Sequence, residues 1–108
     1  MQFPTVPWQV LSAKVCVGIH TENWTLAELE PDPDAARSFW VDVAFDSPFL
    51  SAPVVQVGLS GFDIDQRDSA RITLKVETIT ETGFQAVIAT WASTRVYSVE
   101  FNWLAIGP

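Results

Sequence analysis

Residues 84–106 read FQAVIATWASTRVYSVEFNWLAI, and their rhythm decides the fold. Phe84, Ala86 and Ile88 alternate with Gln85, Val87, Ala89 and Trp91. After Ala92-Ser93-Thr94, Tyr97, Val99, Phe101 and Trp103 alternate with Val96, Ser98, Glu100 and Asn102. A side-chain period of two is that of a strand with one face buried. The small hydroxylated residues between the two runs suit a turn. Trp91 lies off the core parity of its strand, so it points toward an interface or a pocket. Tyr97 shares the core parity of Val99 and Phe101 with its hydroxyl at the rim, and Trp103 belongs to the core.

The same alternation recurs upstream. Residues 70–78 set Ile72, Leu74 and Val76 against Arg71, Thr73, Lys75 and Glu77. Residues 53–62 align Val55, Val57 and Leu59, residues 38–45 align Phe39, Val41, Val43 and Phe45, and residues 9–19 align Val15, Val17 and Ile19. Turn-forming residues separate these runs at Asp46-Ser47-Pro48, 63–69 and Glu81-Thr82-Gly83. Short connections imply antiparallel neighbours. Six strands, each with one apolar parity, are best buried as two facing sheets. The expected fold is therefore all-β, a six-stranded antiparallel β-sandwich, with a small barrel as the rival. The whole of 1–108 reads as one domain, with 1–8 as an N-terminal extension. Residues 20–36 break the rhythm: Glu22, Glu28, Glu30, Asp32 and Asp34 have no base among them, and Pro31 and Pro33 stiffen the end. Thr25 through Leu29 fits one helical turn, with Thr25 as N-cap and Glu28 as its capping-box partner. A long loop of this kind is commonly functional.

Composition narrows the function. Hydrophobic residues make up 48% and charged residues 18%, which argues against disorder. Five Trp and seven Phe exceed what packing of so short a chain asks for, so some rings are candidates for ligand contact. A net charge of −7 argues against nucleic acid or an anionic membrane as partner. No apolar run is long enough to insert in a bilayer as a helix. Residues 1–8 lack the basic segment of a signal peptide, which leaves a cytoplasmic location, export by another route, or a leader already removed.

Catalytic and metal patterns are weak. Asp63-Ile64-Asp65-Gln66-Arg67-Asp68 opens like a calcium loop, but Asp68 and Leu74 stand where Gly and Glu are required. A hydrogen-bonded turn loop is the simpler reading. Asp32/Asp34 and Asp63/Asp65 are candidate glycosidase pairs by residue type alone. His20 is the single histidine, and no serine sits in a nucleophile elbow. Cys16, the single cysteine, reads as a small buried hydrophobe and excludes an intrachain disulfide. One His and one Cys are too few for a metal site, and no cofactor is implied. Asn23-Trp24-Thr25 is a glycosylation sequon only in a secretory context.

The C-terminal two-thirds carries an ordered set of motifs: Leu59-Ser60-Gly61-Phe62-Asp63-Ile64-Asp65, Ala70-Arg71-Ile72, Ile79-Thr80-Glu81-Thr82-Gly83-Phe84, Thr90 through Ser98, and Trp103-Leu104-Ala105. This succession resembles the H-type lectin domain, closely over 37–106 and loosely over 10–36. The resemblance implies a non-catalytic, N-acetylgalactosamine- or galactose-type glycan-binding module that assembles as a homotrimer or homohexamer. Its sugar sits between protomers. One protomer supplies an acid, a loop backbone group and an arginine, which fall here on Asp34, the vicinity of Asp32, and Arg71. The neighbour supplies a tryptophan and a tyrosine, which fall on Trp91 and Tyr97. Asp34 is placed by counting back from Phe45-Asp46-Ser47-Pro48. The family's histidine falls on Ala92, which removes a polar contact, widens the pocket and opens the choice of galactose-type sugar. The family's disulfide is also absent.

The implied chemistry stands on its own terms. A pyranose has an apolar C–H face that an aromatic ring covers, and a rim of hydroxyls that ionised groups bind by charge-assisted hydrogen bonds. Two other classes remain to be separated from a lectin: an assembly or adhesion module of the same fold without sugar binding, and a carbohydrate-active enzyme.

Overall fold

The longest strand is β6 (Val96–Gly107), and the molecule is built around it. In the computed structural model, which describes residues 7–28, 31–32 and 34–108, β6 lies between β1 (Gln9–Gly18) and β3 (Val54–Ile64), antiparallel to both. The second sheet places β5 (Gly83–Thr90) between β2 (Arg37–Ala44) and β4 (Thr73–Glu77), again antiparallel. No ladder joins the orders β1-β6-β3 and β2-β5-β4, so the fold is a β-sandwich and not a barrel.

The period-two reading locates the core. On β5, Phe84, Ala86 and Ile88 are buried, and on β6 so are Val99, Phe101, Trp103 and Ala105. Phe39, Val41 and Val43, then Val55 and Val57, then Ile72, Leu74 and Val76 pack against them, as do Val15 and Val17. Fully burying one such side chain contributes about 1.5–3 kcal/mol. One end of the sandwich is filled by Phe45, Phe49, Phe84 and Trp103, with ring centroids 5.1–5.9 Å apart in edge or tilted arrangements.

Several expectations need correction. Only β4 and β5 are both consecutive and paired, so the short connection 91–95 crosses between sheets instead of closing a hairpin. β4 begins at Thr73 and not at residue 70, because the Arg71 carbonyl accepts from the Thr90 hydroxyl at 2.5 Å in place of a ladder bond. Leu59 and Ile19 remain exposed: the first lies at a bulge between Leu59 and Gly61, the second beyond the end of β1. Cys16 is also exposed, on the outer face of β1, where its thiol points to Glu100 Oε2 at 3.8 Å.

Val96 is fully buried despite its parity, because the loop after β1 folds over it. The Val96 N–H donates to the Leu26 carbonyl at 2.7 Å, and Trp24 Nε1 donates to the Val96 carbonyl at 2.9 Å. Trp24 also packs on Phe39, 5.0 Å between centroids, and Leu26 has no exposed surface. The expected helical turn from Thr25 is absent among the described residues. Leu26 and Ala27 form a simple turn, and the Leu26 carbonyl is taken by β6. Leu29 lies outside the described residues, as do Met1 through Val6 of the N-terminal extension.

The strand directions set the functional geometry. β1, β3 and β5 finish at the end of the sandwich where β2, β4 and β6 begin. The three connections 19–36, 65–72 and 91–95 therefore gather at one end.

Candidate functional site

The turn from Trp91 to Thr94 lies at the centre of this loop end. Its closing bond runs from the Thr94 N–H to the Trp91 carbonyl at 3.4 Å, and Ala92 takes φ 56°. That value lies in the left-handed region, where an L-residue with a Cβ is strained. Trp91 leaves 41% of its surface exposed, as its off-core parity predicts.

The turn is gripped from two sides. Arg37, the first residue of β2, shares the inward parity of Phe39 and Val41. Its Nη2 donates to the carbonyls of Thr94 at 2.6 Å and Ala92 at 3.1 Å, and its Nη1 to that of Leu26 at 3.3 Å. From the β3–β4 loop, Thr94 Oγ1 donates to the Ser69 carbonyl at 2.6 Å and accepts from Arg71 Nη1 at 2.9 Å. Thr90 and Thr94 are fully buried, so these bonds satisfy hydroxyls that would otherwise be costly to enclose.

An ion-pair network extends the grip. Asp65 is buried and accepts from Arg67 Nη2 at 2.8 Å, from Arg67 Nε and the Arg67 N–H at 2.9 Å each, and from the Tyr97 hydroxyl at 2.6 Å. Asp68 accepts from the Arg95 N–H at 2.8 Å and from Arg95 Nε and Nη2 at 3.1 Å each. The Arg67 side chain first, then Tyr97, hold the Asp65 carboxyl far below the usual carboxylate range. Arg95 depresses Asp68 in the same way. The bond to Asp65 raises Tyr97, so its phenol keeps its proton and donates it inward. What Tyr97 offers a ligand is its half-buried ring and an oxygen that can accept.

The residues singled out from sequence divide into two groups. Arg71 and the turn that carries Trp91 and Ala92 are one hydrogen bond apart through the buried Thr94, and Tyr97 bonds the buried Asp65 of the adjoining ion-pair network. Among the described residues, the remaining N–H groups of Arg71 have no acceptor. Asp32 and Asp34 sit apart on the exposed β1–β2 loop, where the Asp34 N–H donates to Asp32 Oδ1 at 2.9 Å and neither residue bonds the others. The supposed calcium loop is a turn whose inner acids, Asp65 and Asp68, are committed to arginines. Among the described residues no group of three or more His, Cys, Asp or Glu could hold a metal ion.

Arg37 and Thr94 were not singled out from the sequence, and Asp65 was named only as a candidate glycosidase or calcium-loop acid. The signal for Arg37 is legible in hindsight: a base on the apolar parity of a strand needs carbonyls to receive it.

The family model for the H-type lectin domain matches residues 40–106, which include β5, β6, the Trp91 turn and Arg71. The chain belongs to the H-type lectin domain family. A protein of Fuscovulum blasticum described as ATP synthase subunits region ORF 7 is 45% identical to this lectin-type domain over 71 residues, 66% of this chain and 62% of that protein. Discoidin-2 of Dictyostelium discoideum is 34% identical over 72 residues, again 66% of this chain but 28% of its own length. The domain thus spans less than two-thirds of either relative. Two structures of discoidin II from the same organism superpose with TM-scores of 0.75 and 0.74 at 27% identity. They cover 93% of this chain and 37% and 36% of theirs.

Proposed function

We propose that this H-type lectin domain binds galactose- or N-acetylgalactosamine-type glycans at its loop end, without catalysis, and that several copies act together as a trimer or hexamer. The observation that carries the reading is the Arg71–Thr94–Trp91 arrangement. An arginine whose other donors have no acceptor among the described residues is bonded to Thr94, the last residue of a clamped turn that begins at the half-exposed Trp91, so one loop end carries both the base and the ring. Trp91 stacks on the apolar face of the sugar, and Arg71 of the adjoining copy donates to its hydroxyl or carbonyl oxygens. The Tyr97 ring completes the aromatic wall, and Ala92 leaves the space beside it open.

Asp34 and Asp32 are exposed, and among the described residues their side chains bond nothing else at this end of their own chain. With Arg71 they supply the acid, the backbone group and the base to the seam with the next copy, which supplies the rings of Trp91 and Tyr97, so each loop end presents both halves of a site. Such a shallow site holds a monosaccharide at a Kd of roughly 0.1–1 mM, about −4 to −5.5 kcal/mol. Assembly then raises the effective affinity about 10² to 10⁴-fold.

A glycan array followed by calorimetry tests this directly. Wild-type protein is expected to bind galactose-type glycans, and Trp91→Ala to lose binding with its melting temperature unchanged. Silence of the wild type on every sugar, or unchanged affinity in Trp91→Ala, overturns the assignment. A second reading, an assembly module without sugar binding, is favoured by two features: Ala92 lacks the family's histidine, and the Tyr97 proton is spent on Asp65. A stable oligomer with every sugar negative would establish it.

A further inference from the structure

The two flanks of the sandwich differ. β3 and β4 pack against one another and close one flank. On the other, a groove of about 340 Å³ opens between the edge strands β1 and β2. Its walls are Leu11 and Val15 on one side and Val41 and Val43 on the other, with Trp103 at its base. Leu11, Val15, Val41 and Val43 have the inward parity of core residues yet are only half-buried, because none of the described residues covers them there. Asp42 and Asp46 stand at the rim.

The closed flank carries the complement. Leu59 and Phe62 pair in register with the buried Phe101 and Val99, yet keep 39% and 53% of their surface exposed along edge strand β3. On edge strand β4, which packs against β3, Lys75 is exposed and forms no ion pair among the described residues. The register sets Asp42 opposite Gln85 and Gln85 opposite Glu77, with Trp40, Val87 and Lys75 in the neighbouring row on the same face. Lys75 and Asp42 thus lie on opposite edges of one sheet, one same-face step apart along the strands.

We infer that copies of this chain associate flank to flank, the Leu59–Phe62 ridge of one entering the β1/β2 groove of the next and its Lys75 meeting the Asp42–Asp46 rim. The inference rests on the multivalent reading above and assigns the surfaces that make the assembly. The two surfaces differ and lie on opposite sides of one chain, so the contact is heterologous and either closes into a ring or runs on as a filament. A third feature favours closure. The outer face of the β1-β6-β3 sheet carries Val10, Ile106 and Val54 in a single lateral row, with Val10 and Val54 62% and 66% exposed. A ring that turns this sheet toward its axis covers that row, whereas an open filament leaves it in water.

Sedimentation velocity and native mass spectrometry across micromolar concentrations test the contact. Lys75→Glu and Asp42→Lys each place like charges in every contact and are expected to weaken assembly about ten-fold or more. Combined in one chain, they restore opposite charges to each contact, and assembly recovers to within about three-fold of wild type. Phe62→Ser, exposed in the single chain, also weakens assembly while the melting profile of dilute protein is retained. A wild-type oligomer that none of these changes disturbs, or a double variant as dissociated as the singles, overturns the flank contact and leaves the multivalent reading standing. A monomeric wild type overturns both.

Discussion

Arg37→Met removes the guanidinium that grips the tryptophan-bearing turn while keeping a side chain of similar length in an apolar setting. Three carbonyls lose a donor, but they do not lose equally. Leu26 O still receives the Val96 N–H at 2.7 Å, so the 3.3 Å bond from Arg37 is dispensable there. The carbonyls of Ala92 and Thr94 lose bonds of 3.1 Å and 2.6 Å from a charged donor. Two such bonds contribute about 3–5 kcal/mol together. Against this, methionine relieves a half-buried cation whose enclosed Nε has no partner among the described residues, which returns about 1–2 kcal/mol. The expected net loss is about 2–3 kcal/mol, or a fall in melting temperature of roughly 10–15 °C for a domain of this size. Reversible thermal unfolding followed by circular dichroism measures the total. Amide exchange at Thr94 and Val96 shows whether the loss is local, and both should exchange faster than the β5–β6 core. Because the turn orients Trp91, sugar affinity should fall about ten-fold even where the variant is fully folded. A fall of less than about 4 °C with unchanged exchange at Thr94 would refute the claim that Arg37 holds the turn.

Leu26→Ala should cost about 2–4 kcal/mol, since Leu26 is the fully buried anchor of the β1–β2 loop and its removal leaves a cavity over Val96; denaturant titration reads the loss. Asp65 and Asp68 have folded-state carboxyl affinities for protons depressed below those of the unfolded chain, so the unfolded state binds more protons in acid. Their stabilisation is complete above a pH of about 4 and is lost as pH falls below it, so melting temperature against pH should flatten on its acid side in Asp65→Asn. Gly83→Ala should cost about 1–3 kcal/mol by thermal denaturation, because a Cβ there would lie 2.3 Å from the Val43 carbonyl oxygen across the β2–β5 ladder.

The strands were legible because each has a buried and an exposed face, and side-chain parity reports exactly that property. Their ends were placed to within a residue or two except on β4. There a threonine hydroxyl replaces a ladder partner, and no periodicity announces such a substitution. The same limit explains Val96, whose burial comes from a loop more than sixty residues away in sequence. The connection 91–95 was read correctly as a turn but not as a crossing between sheets, because loop length alone does not fix which sheet the next strand joins. At the site, Arg71, Trp91 and Tyr97 were legible through the order and spacing of family motifs. Arg37 and Thr94 were not, since their roles depend on carbonyls and hydroxyls supplied by distant segments, and Asp65 was named only as a candidate glycosidase or calcium-loop acid. Asp32 and Asp34 remain joined to the site only through the proposed seam.

The distribution of positive charge connects the two proposals. Each chain has thirteen acidic residues and only six lysines and arginines, so an unengaged base is scarce. Arg67 is committed to Asp65, Arg95 to Asp68, and Lys14 lies 3.9 Å from Glu100. Arg37 is enclosed by backbone carbonyls. That leaves Arg71, which gives one arm to Thr94, and Lys75, which pairs with nothing among the described residues. One stands at the loop end beside Trp91, and the other stands on the flank beside Leu59 and Phe62. In both places a cation with unused donors adjoins exposed apolar surface, the combination that rewards an acid-rimmed or hydroxyl-rich apolar partner. A uniformly acidic surface would hold copies of this chain apart. The two available cations mark the positions where that repulsion is relieved, Arg71 where the ligand is expected and Lys75 where the next copy is. Replacing Lys75 should therefore weaken assembly and the seam with it, so that sugar affinity falls as the oligomer dissociates, whereas replacing Arg71 should lower sugar affinity with the oligomer intact.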